Sequence, residues 1–185
     1  MRSFDLLIGD SLVKTVPKIT IKYPYDGKPV GEVTFGGADE IELAIRSACD
    51  SLPAISRMPA YARANVLRGI AIGIKGKLTE LTEVIRDEAG KPVRLARAEV
   101  ERAADVFSIA AEEATRIEGE LLPLDVAPHG VGKTGLVRRV PIGPILAITP
   151  FNFPLNLTAH KVAPAIAAGN SIVVKPASQT PMSSS

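Results

Sequence analysis

Two short stretches hold the side chains best placed to do chemistry. In Thr149-Pro150-Phe151-Asn152, an apolar run from Pro144 to Ile148 ends in one amide set between two phenylalanines and two prolines. In Lys175-Pro176-Ala177-Ser178, a second apolar run, Ser171 to Val174, ends in a lysine, with a hydroxyl three residues further on. The intervening "PLNLTAHKVAPAIAAG" reads as a helix over most of its length, closing on Gly169. Strand (Ile145–Thr149), helix and strand (Ser171–Lys175) form a β-α-β unit with a crossover long enough for parallel pairing, right-handed by rule. Open parallel sheets bind ligands at the carboxyl ends of their strands, so both stretches meet at one edge. The charge pattern suits a small anion there. All 20 acidic residues lie at or before Asp125, whereas residues 126–185 carry only Lys133, Arg138, Arg139, Lys161 and Lys175. A plainer account also stands: this segment is the buried part of a sheet, Asn152 bonds its own backbone in a turn, and Lys175 is a solvated strand cap.

Another glycine-rich stretch matches a known motif without its context. Gly130-Val131-Gly132-Lys133-Thr134-Gly135 spells the dinucleotide fingerprint G-x-G-x-x-G. That fingerprint works where a strand turns tightly into a helix, with an acid about 20 residues on for the ribose. Here "LVRRV" is strand-like and no acid follows. Ala127 takes the place of a P-loop's first glycine, so that motif fails too. The expectation is a hairpin, with strands near Glu120–Asp125 and Gly135–Val140.

The elements that must position these residues come earlier in the chain. "FDLLIGD" and "SLVKT" (Ser11–Thr15) flank Gly9-Asp10 as strands, and "TIKYPYDGKPVGEVTFG" turns at Asp26-Gly27. Asp39 is placed to cap a helix from Glu40 to Asp50, with Glu42 closing a capping box. Its apolar face is Ile41, Ala44, Ile45 and Ala48, and Cys49 beside it reads as a small packing residue. Further helices are expected from Pro59 to about Lys75, from Leu78 to Ala89, and from Pro92 to about Ile117. Gly90-Lys91-Pro92 supplies a stop and then a start.

Composition narrows the classes. The 185 residues are 46% hydrophobic and 23% charged, which fits a soluble globular chain able to bury a core. No stretch is apolar enough to span a bilayer, and "MRSFDLLIGD" lacks a signal-peptide core. One cysteine rules out an internal disulfide, and His129 and His160 cannot build a metal site alone, so no metal is expected. A reducing cytoplasm fits. The basic residues after Asp125 are spread singly and lack an aromatic platform, which argues against nucleic acid.

"AITPFNFPLNL", "HKVAPAIAAGNSIVVKPASQTP" and "EAGKP" (Glu88–Pro92) resemble the aldehyde dehydrogenase superfamily. The resemblance runs from "YPYDGKPVGEV" onward and covers the N-terminal part of members more than twice as long. It implies an α/β, aldehyde dehydrogenase-like fold: residues 1–119 and 141–185 as an incomplete Rossmann-like NAD(P)-binding domain, 120–140 as an oligomerisation β-hairpin, and the catalytic domain absent from this chain.

The resemblance also implies roles. Asn152 matches the asparagine that donates an N–H to the oxyanion formed when a cysteine thiolate attacks the aldehyde. Ile148, Thr149, Pro150 and Phe151 would line the cofactor cleft. Lys175 matches the lysine that binds the adenosine ribose hydroxyls or the 2′-phosphate. Ser178 stands where NAD-preferring members often have a glutamate, so NADP is expected to be accepted, with NAD as the other option. "TRIEGE" (Thr115–Glu120) is similar to a stretch of the NADP-dependent non-phosphorylating glyceraldehyde-3-phosphate dehydrogenases, giving Arg116 a substrate phosphate. The competing account of Arg116 is a helix-surface pair with Glu112 and Glu120. Lactaldehyde and phosphonoacetaldehyde dehydrogenases are close competitors as models.

The implied reaction is oxidation of a small aldehyde, such as a phosphorylated or hydroxylated one, through a thiohemiacetal and a thioester. The nucleophilic cysteine and the general-base glutamate would lie downstream, so the chain alone supplies only part of the site. A homodimer or homotetramer of the full-length protein is expected. The alternatives are a non-catalytic nucleotide-binding or assembly piece, and a CoA-acylating relative.

Overall fold

The structure is a computed structural model that describes residues 1–13 and 17–185. Short strands come first: β1 (Arg2–Phe4), β2 (Leu6–Ile8), β3 (Ser11–Val13), β4 (Lys18–Lys22) and β5 (Pro29–Thr34). β2 and β3 pair antiparallel about Gly9-Asp10, while β5 lies between β4, antiparallel, and β1, parallel. Lys14 and Thr15, the expected end of the "SLVKT" strand, lie outside the described residues. The turn before β5 holds Gly27 at φ 71°. Asp26 closes that turn by accepting the Lys28 N–H at 3.1 Å.

Four helices follow: α1 (Ala38–Arg57), α2 (Ala60–Gly76), α3 (Leu78–Ala89) and α4 (Val93–Glu113). The sequence reading of α1 needs three corrections. Its N-cap is Gly37, whose N–H donates to Glu40 at 2.7 Å, so the reciprocal carboxylate sits two residues earlier than expected. The helix runs past Asp50 and through Pro53 to Arg57. Of the expected apolar face only Ala48 is buried; Ile41 and Ile45 are exposed, as is Cys49, which is not a packing residue in this chain. α4 also ends early. Thr115 and Arg116 N–H groups bond the carbonyls three residues back, the tighter spacing that winds a helix down.

The main core is a stack of helices. α4 packs against α2, α3 and α5 (Pro154–Ala167) through Ala64, Leu67, Ala96, Val100, Ala103, Phe107, Ala159 and Ala163. Alanine at so many facing positions lets the axes approach closely. A smaller core joins the first sheet to α3 and the C-terminal turn Met182–Ser184, through Ile21, Val84 and Met182. Gly31 makes that contact possible, since a Cβ there would lie 2.3 Å from Met182 Sδ.

β6 (Glu120–Pro123) and β7 (Thr134–Val137) form the expected hairpin, each strand stopping two to three residues before its expected end, closed through a 3-10 turn at Pro128–Gly130. The G-x-G-x-x-G stretch is therefore hairpin connection and strand, not a strand-to-helix turn. β8 (Ile145–Ile148) and β9 (Ile172–Lys175) pair parallel, with α5 as the crossover. Gly169 ends the crossover at φ 81°, and Asn170 N–H reaches back to the Ala165 carbonyl at 2.9 Å. The α/β architecture is the one the sequence implied.

Candidate functional site

The β8–β9 register sets the site. Ile148 lies opposite Lys175, and the Thr149 N–H extends the ladder to the Lys175 carbonyl at 3.2 Å. The Thr180 hydroxyl donates to the Phe151 carbonyl at 3.4 Å, tying the two post-strand loops together. Ile148, Pro150, Phe151 and Asn152 are exposed on one side of this edge, Lys175 and Ser178 on the other. Thr149 is buried, and its hydroxyl has no hydrogen-bond partner among the described residues. Among the described residues Lys175 Nζ reaches only its neighbour's carbonyl, Pro176 O, at 3.3 Å, which leaves donor capacity free.

The Asn152 backbone is held from the helical layer. Its carbonyl accepts from Lys91 Nζ at 2.8 Å, and the same ammonium lies 4.1 Å from the centre of the Phe153 ring. Lys91 is also ion-paired to Glu99, whose side chain is fully buried. The other Glu99 oxygen accepts the Leu155 and Asn156 N–H groups at 3.1 and 3.2 Å, in the first turn of α5. Pro154 opens that helix without a donor of its own, so Glu99 takes the first donors that point out. The α5 N-terminus is thus already occupied by a carboxylate. Lys175 and Ser178, after β9, are exposed donors at the same edge.

Glu88 is a second buried carboxyl nearby, 2% exposed at the end of α3. It accepts the Met182 N–H at 2.6 Å and the Ser183 N–H at 3.0 Å. Burial pushes its pKa up to about 7, against the pull of those donors toward the ionised form.

Arg116 stands apart from this edge. It is exposed beyond the end of α4, paired with Glu113 at 2.9 Å and Glu112 at 3.6 Å. Glu120, the other partner weighed from sequence, sits in β6 instead. Beside Arg116 an apolar cleft runs between α4 and α5, lined by Val106, Ile109, Glu113, Ile117, His160 and Pro164. The sequence reading missed the cleft and Glu99, and Glu88 entered it only as the first residue of "EAGKP", without a role. Lys91 fell inside "EAGKP" without a role. The i, i+4 series Val106–Ala110 facing Pro164 was the available signal for the cleft.

A parallel β-α-β edge with polar side chains at both strand ends, backed by packed helices, places the chain among α/β proteins, a class whose open parallel sheets hold ligands at such edges. The chain belongs to the aldehyde dehydrogenase family, whose model matches residues 13–185. It is 38% identical over 182 residues to the 3-sulfolactaldehyde dehydrogenase of Priestia aryabhattai, covering 98% of this chain and 38% of that protein. Among solved structures it superposes on aldehyde dehydrogenase 21 from Physcomitrella patens, in complex with the reaction product succinate. That match has a TM-score of 0.96 and 38% identity, over 99% of this chain and 38% of the other. The NADP-dependent glyceraldehyde-3-phosphate dehydrogenase from Bacillus halodurans C-125, complexed with NADP, matches with a TM-score of 0.95 and 35% identity. There the coverage is 99% of this chain and 39% of the other. The chain thus spans well under half the length of these relatives.

Proposed function

We propose that this chain supplies the cofactor edge and the oxyanion donor of an NADP-dependent aldehyde dehydrogenase that oxidises a small anionic or hydroxylated aldehyde to a carboxylate. The observation that carries this reading is the β8–β9 register, which sets Lys175 beside the stretch ending in Asn152. The donor set fits the cofactor. Lys175 and Ser178 are exposed at one strand end with no Asp or Glu anywhere in residues 126–185, and among the described residues the Thr149 hydroxyl beside them has no partner. Lys175 and Ser178 would hold the adenosine 2′-phosphate, and Ile148, Pro150 and Phe151 would face the cofactor. NADP, when bound, supplies the hydride acceptor.

Asn152 then acts on the substrate. Among the described residues its side-chain amide makes no hydrogen bond, so the N–H is free to donate to an oxygen as that oxygen gains charge. Arg116, one residue before the Ile117 that lines the α4–α5 cleft, would attract an anionic group of the aldehyde. Residues 1–119 and 141–185 would form the cofactor side. The hairpin at 120–140 would join subunits of a dimer or tetramer, for which its exposed Leu121 and Leu136 are suited. The exposed Cys49 thiol suits a reducing cytoplasm.

Cofactor preference tests the reading. Ser178→Glu in the complete enzyme raises KM for NADP by about 10- to 100-fold, because a carboxylate then faces the 2′-phosphate. NAD is affected far less, since its ribose hydroxyls can donate to the new carboxylate. Steady-state kinetics with both cofactors measure it; an unchanged preference removes Ser178 and Lys175 from the 2′-phosphate site.

A further inference from the structure

We propose that Lys91 and Glu99 are positioning residues for the Asn152 amide. The proposal rests on the reading of Asn152 as the oxyanion donor. The two charges form a built device. Glu99 is a fully buried carboxylate on α4, and each of its oxygens has a defined partner. One faces the Lys91 ammonium; the other gathers the Leu155 and Asn156 N–H groups and so fixes where α5 begins. Lys91 divides its donors between Glu99 and the Asn152 carbonyl, with the Phe153 ring beneath it.

Every contact that Lys91 and Glu99 make to this loop falls on main chain or on the Phe153 ring. None touches the Asn152 amide, which stays free to donate. The loop from Thr149 to Phe153 is thereby pinned just before the helix, with its one amide left projecting. Lys91 itself is placed by the α3–α4 junction. Gly90 closes α3 at φ 63°, and Pro92 caps α4 directly after it. A lysine whose only purpose was packing would not need its ammonium 2.8 Å from that one carbonyl.

Losing either contact lets the peptide after Asn152 rotate, which swings the side chain away from its aim. Rate is sensitive to such misplacement in a way that cofactor affinity is not. The test is a set of variants in the complete enzyme, read by NADPH formation, with unfolding midpoints as a control. Lys91→Met lowers kcat by about 10- to 100-fold while KM for NADP stays within about twofold. Lys91→Arg recovers most of the loss, because a guanidinium can reach both the Asn152 carbonyl and Glu99.

The discriminating measurement is the cycle with Asn152→Ala. Once the amide is gone there is nothing left to aim, so adding Lys91→Met costs less than about twofold more in kcat. A full additional loss in that background overturns the proposal and makes Lys91 structural. So does a wild-type kcat for Lys91→Met alone. If Asn152→Ala itself keeps the wild-type kcat, it is the reading of Asn152 that fails, and the role given to Lys91 falls with it. Should Lys91→Met fail to fold with Glu99 left unpaired, Lys91→Met combined with Glu99→Gln removes both charges. That pair keeps a side-chain oxygen on the α5 N–H groups and carries the same expected kcat loss.

Discussion

Asn152→Ala lowers kcat by about 100- to 1,000-fold, a loss of roughly 3–4 kcal/mol in transition-state stabilisation, and leaves both KM values nearly unchanged. The size follows from what the amide is placed to do. A donor already fixed where charge develops needs no reorganisation when the reaction occurs, and it contributes little to the uncharged ground state. Its main chain is held by Lys91, and the helix after it is capped by Glu99, so the remaining freedom is side-chain torsion. Proline on either side of the loop, Pro150 and Pro154, narrows the backbone further. Steady-state kinetics of the complete enzyme, beside a circular dichroism check of folding, decide it. A kcat within a few-fold of wild type would remove Asn152 from the reaction.

The β-α-β unit was legible because its signals are local. Two runs rich in Ile and Val, a helix between them and a terminal glycine leave few alternatives, and the observed strands agree to within a residue. α3 was equally plain, since Gly90 and Pro92 bracket its end. The cap of α1 was not. Asp39 was the expected N-cap, but the helix starts two residues earlier at Gly37, whose N–H the Glu40 carboxylate accepts. The helix also runs beyond the expected end at Asp50, continuing around Pro53 to Arg57.

Buried carboxylates were the least legible feature. Glu88 and Glu99 each occur in helical sequence among other charged residues, where glutamate normally faces water. What turns them inward is distant in sequence: main-chain N–H groups near residue 155 for Glu99 and near residue 182 for Glu88. No periodicity in α3 or α4 records those donors. The supporting shell of the site therefore comes into view only once α3, α4 and α5 are assembled. For the same reason the sequence pointed to Asn152 and Lys175, at strand ends, but not to the pair that holds Asn152 in place.

Glu88 makes the stability of this region depend on pH, and the direction follows from its burial. The folded-state carboxyl holds its proton up to about 7, whereas the ordinary value is 4.5. Between those two pH values the folded state binds more protons than the unfolded chain, so stability falls as pH rises through the window. The contribution is fully present below about pH 4.5 and lost above about pH 7, and it amounts to roughly 3 kcal/mol. The two N–H donors at Met182 and Ser183 act the other way, and burial outweighs them. Glu88→Gln removes the titration while retaining one acceptor oxygen for those donors. Its unfolding free energy should therefore be nearly flat from pH 5 to 8, while the wild-type protein loses most of that 3 kcal/mol over the same range. Urea unfolding at closely spaced pH values measures both. Equal slopes in the two proteins would assign the pH dependence to other groups and leave Glu88 ionised in the folded state. A slope present only in the wild type would establish a buried carboxyl that costs the fold least when protonated, three residues before the lysine that holds Asn152.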